Sequence, residues 1–251
     1  MAGHSKWANI KHRKARVDAQ KGKVFTKISK EIMAAVRQGG GDPNNNFRLR
    51  LALQKARSVN MPNDNIQRAI QKGAGELEGT NFEEIIYEGY GPAGTAVMLE
   101  ILTDNRNRTA GEIRHIFSKS GGSLGETGCV AWMFNRRGYL EVSKEGHDED
   151  ELMLLALDAG AEDFEAGENA FEIYTRPDDF EAVKEKMEAE GISFGEAAIT
   201  MIPETTVEVP DVEGAKKALA LIEALEDHDD VQNAYTNLDV PSEVMAELEN
   251  E

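Results

Sequence analysis

A single cysteine, Cys129, stands in the 251 residues, which excludes a disulfide framework within the chain and fits a reducing compartment. Its setting, Gly128-Cys-Val-Ala-Trp132, reads as the start of a buried strand with Cys129 as a small core residue. No apolar run approaches the ~18 residues that a membrane span needs. The opening Met-Ala-Gly-His-Ser-Lys-Trp has no hydrophobic segment behind its charges. These absences predict a cytoplasmic protein with no membrane partner. Also missing are zinc-ligand spacing, a Ser/His/Asp set on an elbow, and a carboxylate pair assignable to a cleft. Gly39-Gly40-Gly41 and Gly89–Gly94 lack the Gly-Lys-Ser/Thr of a phosphate loop and read as turns. The sequence therefore points away from an enzyme and from any metal or cofactor.

What is present is charge, divided by position. Residues 1–75 hold 16 Lys+Arg against four acids, a net of +12; the remaining 12 basic residues face 42 acids, a net of −30. The whole-chain value of −18 conceals a basic N-terminal module. Such a block calls for a polyanionic partner, and the acidic remainder limits where that partner lies.

Periodicity makes the basic module helical. Phe25, Ile28, Ile32 and Val36 fall within about 80° of one another at roughly 100° per residue, and Lys23, Lys27, Lys30 and Arg37 form a cationic stripe on the opposite side. Gly39–Gly41 ends this helix, and Asp42-Pro43 reads as the cap and first turn of the next, over 43–59. Phe47/Leu51 and Leu49/Leu53/Ala56 give that second helix two apolar sides, the pattern of a sandwiched helix, with Arg48/Lys55 and Arg50/Arg57 between them. A third helix runs through Ile66 and Ile70 to Gly73, and a linker follows to Asn81.

Beyond the linker the period shortens to that of strands. Strands are expected at 84–90, 95–103 and 130–134, with a helix through Ile113, Ile116 and Phe117. From Gly138 the order is strand (139–143), helix (149–159), strand (163–166), strand (170–175), helix (178–190), strand (196–201), the split βαββαβ order of a ferredoxin-like unit. A helix at 212–225 and a strand at 230–237 remain to complete the middle segment. The expected class is α+β and multidomain: a helical bundle at 1–79, a discontinuous α+β domain of 80–137 plus 204–241, an inserted ferredoxin-like domain at 138–203, and an acidic tail at 242–251.

The densest candidate site is the N-terminal arm, with Lys6, Trp7, Lys11, His12, Arg13, Lys14 and Arg16. Lys and Arg neutralise phosphates, while Trp and His can stack on bases. Trp7 serves equally as an anchor for the arm, and the arm's charge would also suit an acidic protein surface, this chain's own included. The stripe of Lys23, Lys27, Lys30 and Arg37 is the second candidate. Arg106 and Arg108, at a strand-to-helix junction, offer a secondary anion contact. Arginines oppose the dipole at a helix N-terminus, so they need a compensating partner, while Asp104 or Asn105 would cap the helix. Acidic clusters such as 148–151 and 226–230 do not fit a calcium loop and read as helix caps and solvated faces.

Several long motifs carry a resemblance: Met1-Ala-Gly-His-Ser-Lys-Trp-Ala-Asn-Ile-Lys-His-Arg-Lys, Lys23-Val-Phe-Thr-Lys-Ile, Gly39-Gly-Gly-Asp-Pro, Ile86-Tyr-Glu-Gly-Tyr-Gly-Pro and Thr103-Asp-Asn-Arg-Asn-Arg-Thr. In this order, over essentially the whole chain, the sequence resembles the YebC/PmpR family. The resemblance implies three domains, one α+β domain inserted in another, and no agreed catalytic set. It implies a DNA-binding transcriptional regulator or, as for other members and the mitochondrial relatives, a ribosome-associated translation factor acting at proline-rich stalls. The residues show no clear helix-turn-helix with a base-reading recognition helix. A polyvalent basic module also suits shape-based contact with ribosomal RNA, so DNA and RNA both stand as partners.

Overall fold

The computed structural model describes residues 21–75, 82–167 and 170–249. Two compact units divide it. One comprises the described residues up to Cys129 together with Lys216–Thr236; the other comprises Val130–Ala215 and the residues from Asn237 onward.

The first unit begins with three helices, α1 (Lys21–Gly39), α2 (Phe47–Ser58) and α3 (Asn63–Gly73). Ile28, Ile32, Ala35 and Val36 of α1 pack with Leu49, Ala52, Leu53 and Ala56 of α2 and with Ile66 and Ala69 of α3. Gly73 makes the close approach possible, since a Cβ there would lie 2.9 Å from the Met33 carbonyl oxygen. The second helix starts later than Asp42-Pro43 predicts. Asp42 closes a turn by accepting from the Asn44 amide, and Asn46 is the cap, accepting from Leu49 N at 3.0 Å. Asn46 also donates to the Ala35 and Gly40 carbonyls, so one buried amide ties the end of α1 to the start of α2. Nor is α2 sandwiched among the described residues: the Leu49/Leu53/Ala56 side is buried, whereas Phe47 is 46% exposed.

After the bundle the chain forms β1 (Glu83–Tyr90), β2 (Ala96–Thr103), α4 (Arg106–Lys119) and a short β3 (Ser123–Leu124). The expected strand over 130–134 is instead a single 3-10 turn at Ala131–Met133, closed by Met133 N donating to Val130 O. Cys129 is accordingly half-buried in a turn and not in a strand.

The second unit contains β4 (Phe134–Ser143), α5 (Glu149–Ala159), β5 (Asp163–Ala166), β6 (Ala170–Thr175), α6 (Phe180–Ala189) and β7 (Ala197–Pro203). Its sheet runs β5-β6-β4-β7, antiparallel throughout, which is the ferredoxin-like arrangement. Leu140, Val142, Phe171 and Ile173 point to one face, where Leu152, Ala156, Val183 and Met187 of α5 and α6 cover them. Gly138 lets α6 close on this sheet, because a Cβ would meet Phe180 Cδ2 at 2.7 Å and Thr175 Oγ1 at 2.2 Å.

The chain continues through β8 (Val207–Glu208), α7 (Val212–Glu226), β9 (Val231–Thr236), β10 (Leu238–Asp239) and α8 (Ser242–Glu249). β9 pairs with β2, giving the first unit a β3-β1-β2-β9 sheet. Ile113 and Phe117 of α4 share its core with Leu221, Ile222 and Leu225 of α7. The expected acidic tail is largely helix. Val244, Met245 and Leu248 recur at helical spacing in α8 and are buried, which a sequence reading weighted toward its glutamates overlooks. The fold is α+β and multidomain: a helical bundle followed by two α+β sheets, the ferredoxin-like one inserted in the other.

Candidate nucleic-acid interface

The basic residues of the bundle fall into two groups. The lysine stripe of α1 is occupied by the chain itself. Lys23 Nζ meets Asp227 Oδ2 at 2.5 Å and the Asp227 carbonyl at 3.3 Å. Lys27 donates to the Glu226 carbonyl, and Lys30 donates to the Asp229 carbonyl at 2.9 Å and to Asp230 Oδ1 at 2.6 Å. These acceptors sit at and just beyond the C-terminus of α7, where free carbonyls and the negative end of the helix dipole favour cations. Burial lowers the Lys27 ammonium to about 8 despite the opposing pull of Glu226, Asp229 and Asp227.

Asp230 is the centre of this contact. Its Oδ2 accepts from Thr109 Oγ1 (2.7 Å), Arg108 Nη2 (2.8 Å) and Thr103 Oγ1 (3.1 Å). Burial alone would raise the carboxyl, but hydrogen bonds from Lys30, Thr109 and Arg108 outweigh it and hold the group well below the usual carboxylate range. The segment 226–230 therefore differs from its expected solvated face. Glu112, His228 and Asp230 each offer a ligand atom within 4.8 Å of the others. Asp230 is already neutralised by Lys30 and Arg108, however, and His228 bonds Glu112 through Nε2 while Nδ1 accepts from Asp230 N.

Arg108 finds the compensating partners its position demands, Asp104 and Asp230, and Asn105 caps α4 by accepting from Arg108 N. Arg106 is exposed, with its carbonyl accepting from Tyr87 Oη at 3.4 Å. Arg48 is held by Glu31 at 2.8 Å and by Glu84. Arg37 is exposed at the end of α1 and has further interactions of its own. Lys6, Trp7, Lys11, His12, Arg13, Lys14 and Arg16 lie outside the described residues.

The second group is Arg50, Lys55 and Arg57 on α2 and Arg68 and Lys72 on α3. All five are exposed, and no acidic side chain among the described residues pairs with them. Arg50, Gln54 and Arg57 follow one another along α2, a helix without an acidic residue. Asn63, Gln67 and Gln71 line α3 at four-residue spacing, exposed beside Arg68 and Lys72. Arg, Gln and Asn are the side chains that bond base edges bidentately. The sequence signal for this face was the pair of basic lines on α2; the outward direction of the α3 amides needed the bundle geometry.

A basic helical bundle joined to two α+β sheets defines a modular α+β protein whose cations are concentrated on its helices. Residues 5–76 match the TACO1/YebC protein N-terminal domain, and residues 82–238 match the TACO1/YebC second and third domain. The chain belongs to the TACO1/YebC family. It is 61% identical over 241 residues to a "Probable transcriptional regulatory protein" of Desulfitobacterium hafniense, covering 95% of this chain and 96% of the relative. A protein of the same name from Halothermothrix orenii is 59% identical over 253 residues, covering 100% of both chains. The crystal structure of a conserved hypothetical protein from Aquifex aeolicus superposes with a TM-score of 0.81 at 51% identity, covering 94% of this chain and 97% of that one. Among the described residues no helix is long and apolar enough to cross a membrane.

Proposed function

We propose that this protein is a cytoplasmic, non-enzymatic regulator that binds nucleic acid through its basic helical bundle. The observation that carries the reading is the set of exposed cations on α2 and α3 with which no acidic side chain among the described residues pairs, on the same bundle whose Lys23, Lys27 and Lys30 are taken up internally. Uncompensated cations on a net-acidic chain attract phosphates and release counterions. The names of the relatives point to transcription and so to DNA, with the amides of α3 available to base edges. The arm residues Lys6, Lys11, Arg13, Lys14 and Arg16, with Trp7 and His12, extend the same interface. Lys23, Lys27 and Lys30 serve it by holding the bundle in place. Arg37 and Arg106 are secondary anion contacts, whereas Arg108 is held by Asp104 and Asp230.

A second reading, a translation factor on ribosomal RNA, draws on one observation: a half-exposed aromatic ring, Phe47, beside Arg50. Fluorescence anisotropy of the full chain with a DNA duplex, titrated with salt, tests the interface. Affinity is expected to fall steeply with salt, and Arg50→Gln and Arg57→Gln are each expected to reduce the slope by about one. A flat salt dependence, or slopes unchanged in both variants, overturns the interface.

A further inference from the structure

Phe47 is the first residue of α2 and the only large apolar side chain in 21–75 that is exposed, at 46%. The bundle core assembles from Ile28, Ile32, Leu49, Leu53, Ile66 and their neighbours, with Val24, Phe25, Met33, Val59 and Ile70 packed against it; Phe47 is not among them. Packing among the described residues therefore does not account for the ring. One turn on, Arg50 places its guanidinium carbon 5.6 Å from the ring centroid, a cation–π distance. Two turns beyond Arg50 on the same side stands Arg57, about 10 Å further along the axis at ~1.5 Å per residue.

We propose that Phe47 and Arg50 form a stacking site for one unpaired nucleobase, so that the strand taken by α2 is single-stranded at that point. This rests on the reading of α2 as a nucleic-acid interface. Every base offers a π-face to an aromatic ring, but only when it is unstacked from its neighbours; in a duplex both faces are covered. Arg50 serves twice, against the ring and toward the adjoining phosphate. Arg57 then takes the backbone as it leaves along the helix. The ligand chemistry is a nucleobase flanked by phosphates, which an RNA loop and single-stranded DNA both present.

The test uses the full chain with 12-nucleotide RNA and DNA single strands carrying a central 2-aminopurine, and with the corresponding duplexes, at one fixed salt concentration. Single strands are expected to bind about tenfold more tightly than duplexes. Phe47→Leu, which keeps apolar volume and removes the ring, is expected to weaken single strands about tenfold and duplexes less than twofold, in line with one stacked base. The 2-aminopurine fluorescence change on binding is expected to vanish in Phe47→Leu and persist in Phe47→Trp. An unchanged unfolding midpoint in Phe47→Leu establishes that the loss is not one of folding. The RNA-to-DNA affinity ratio identifies the source of the base. The proposal is overturned if duplexes bind as well as single strands, or if Phe47→Leu affects both equally or neither. If Arg50→Gln and Arg57→Gln weaken binding while Phe47→Leu does not, the interface stands without the stacking site. If the arginine variants are also silent, the interface itself fails.

Discussion

Lys30 Nζ donates to Asp230 Oδ1 at 2.6 Å across 200 residues of sequence, and both side chains are nearly closed to solvent, at 13% and 4% exposure. The pair joins the first helix of the bundle to the loop before β9. Because Asp230 also takes Thr103, Thr109 and Arg108, four donors converge on one carboxylate. Asp230→Asn removes the counter-charge of Lys30 and leaves Arg108 with Asp104 and Glu112 only, and breaking a buried pair from one side costs about 3 kcal/mol. Hydrogen exchange is expected to show faster opening of α1 and of residues 226–230 in the variant.

The same group sets an acid limit. Its folded pKa is depressed, so its contribution is fully present above the unfolded value near pH 3.9 and is lost as pH falls through the lower folded value. Exchange protection of α1 in the native protein should therefore decline with acid below about pH 4. In Asp230→Asn that decline should be smaller, since the carboxylate that accepts from Lys30 is gone while Lys23 keeps Asp227.

Lysines on α1 and arginines on α2 should separate cleanly. Lys23→Gln and Lys30→Gln are expected to lower the unfolding midpoint while leaving the salt slope of nucleic-acid binding within experimental scatter. Arg50→Gln and Arg57→Gln should do the reverse, because these side chains have no acidic partner to lose among the described residues. A salt slope that falls with the lysines and not the arginines would return the interface to α1.

Asn46 makes three hydrogen bonds from a buried position, one as the cap of α2 and two to carbonyls of Ala35 and Gly40. Asn46→Ala removes the cap and strands those partners, a loss of about 2 kcal/mol. Asn46→Asp keeps the cap but cannot donate to the carbonyls. It should fall between the two in a denaturant titration followed by helix ellipticity.

In the ferredoxin-like sheet, Glu172 is 1% exposed, and its Oε2 accepts from Tyr174 Oη at 2.7 Å. Burial raises its carboxyl to about 7, against the lowering effect of the Tyr174 hydrogen bond. A raised carboxyl favours folding below the unfolded value, and that contribution is lost as pH rises through about 7. Carbon-13 NMR of the Glu172 carboxyl should show titration near neutrality, and Glu172→Gln should stabilise the sheet at pH 8.

Local pattern carried much of the fold. The period of 3.6 in α1, the capping Asp148 before α5 and the turn-type sequence Gly167-Glu168-Asn169 between β5 and β6 are written in adjacent residues, so their limits were legible. The βαββαβ order followed from them. Misread elements were those in which local and distant signals compete. Asp42-Pro43 looks like a helix start, but the carbonyls of Ala35 and Gly40 recruit Asn46 instead. Val130–Phe134 is apolar enough for a strand, yet a backbone bond from Met133 to Val130 turns it.

For the candidate site the division is sharper. The sequence alone determined that cations collect in the first 75 residues, that α1 carries a stripe of them, and that Arg108 needs an acidic partner. Tertiary structure decided which cations remain exposed. A stripe of lysines and an acidic segment 200 residues later look like two independent solvated charges until the chain folds. Whether they meet depends on where α7 ends and β9 begins, because Coulomb attraction between exposed groups is weak until burial removes the intervening water. That contact occupies Lys23, Lys27 and Lys30, and the same packing leaves Phe47, Arg50 and Arg57 on the outer side of α2.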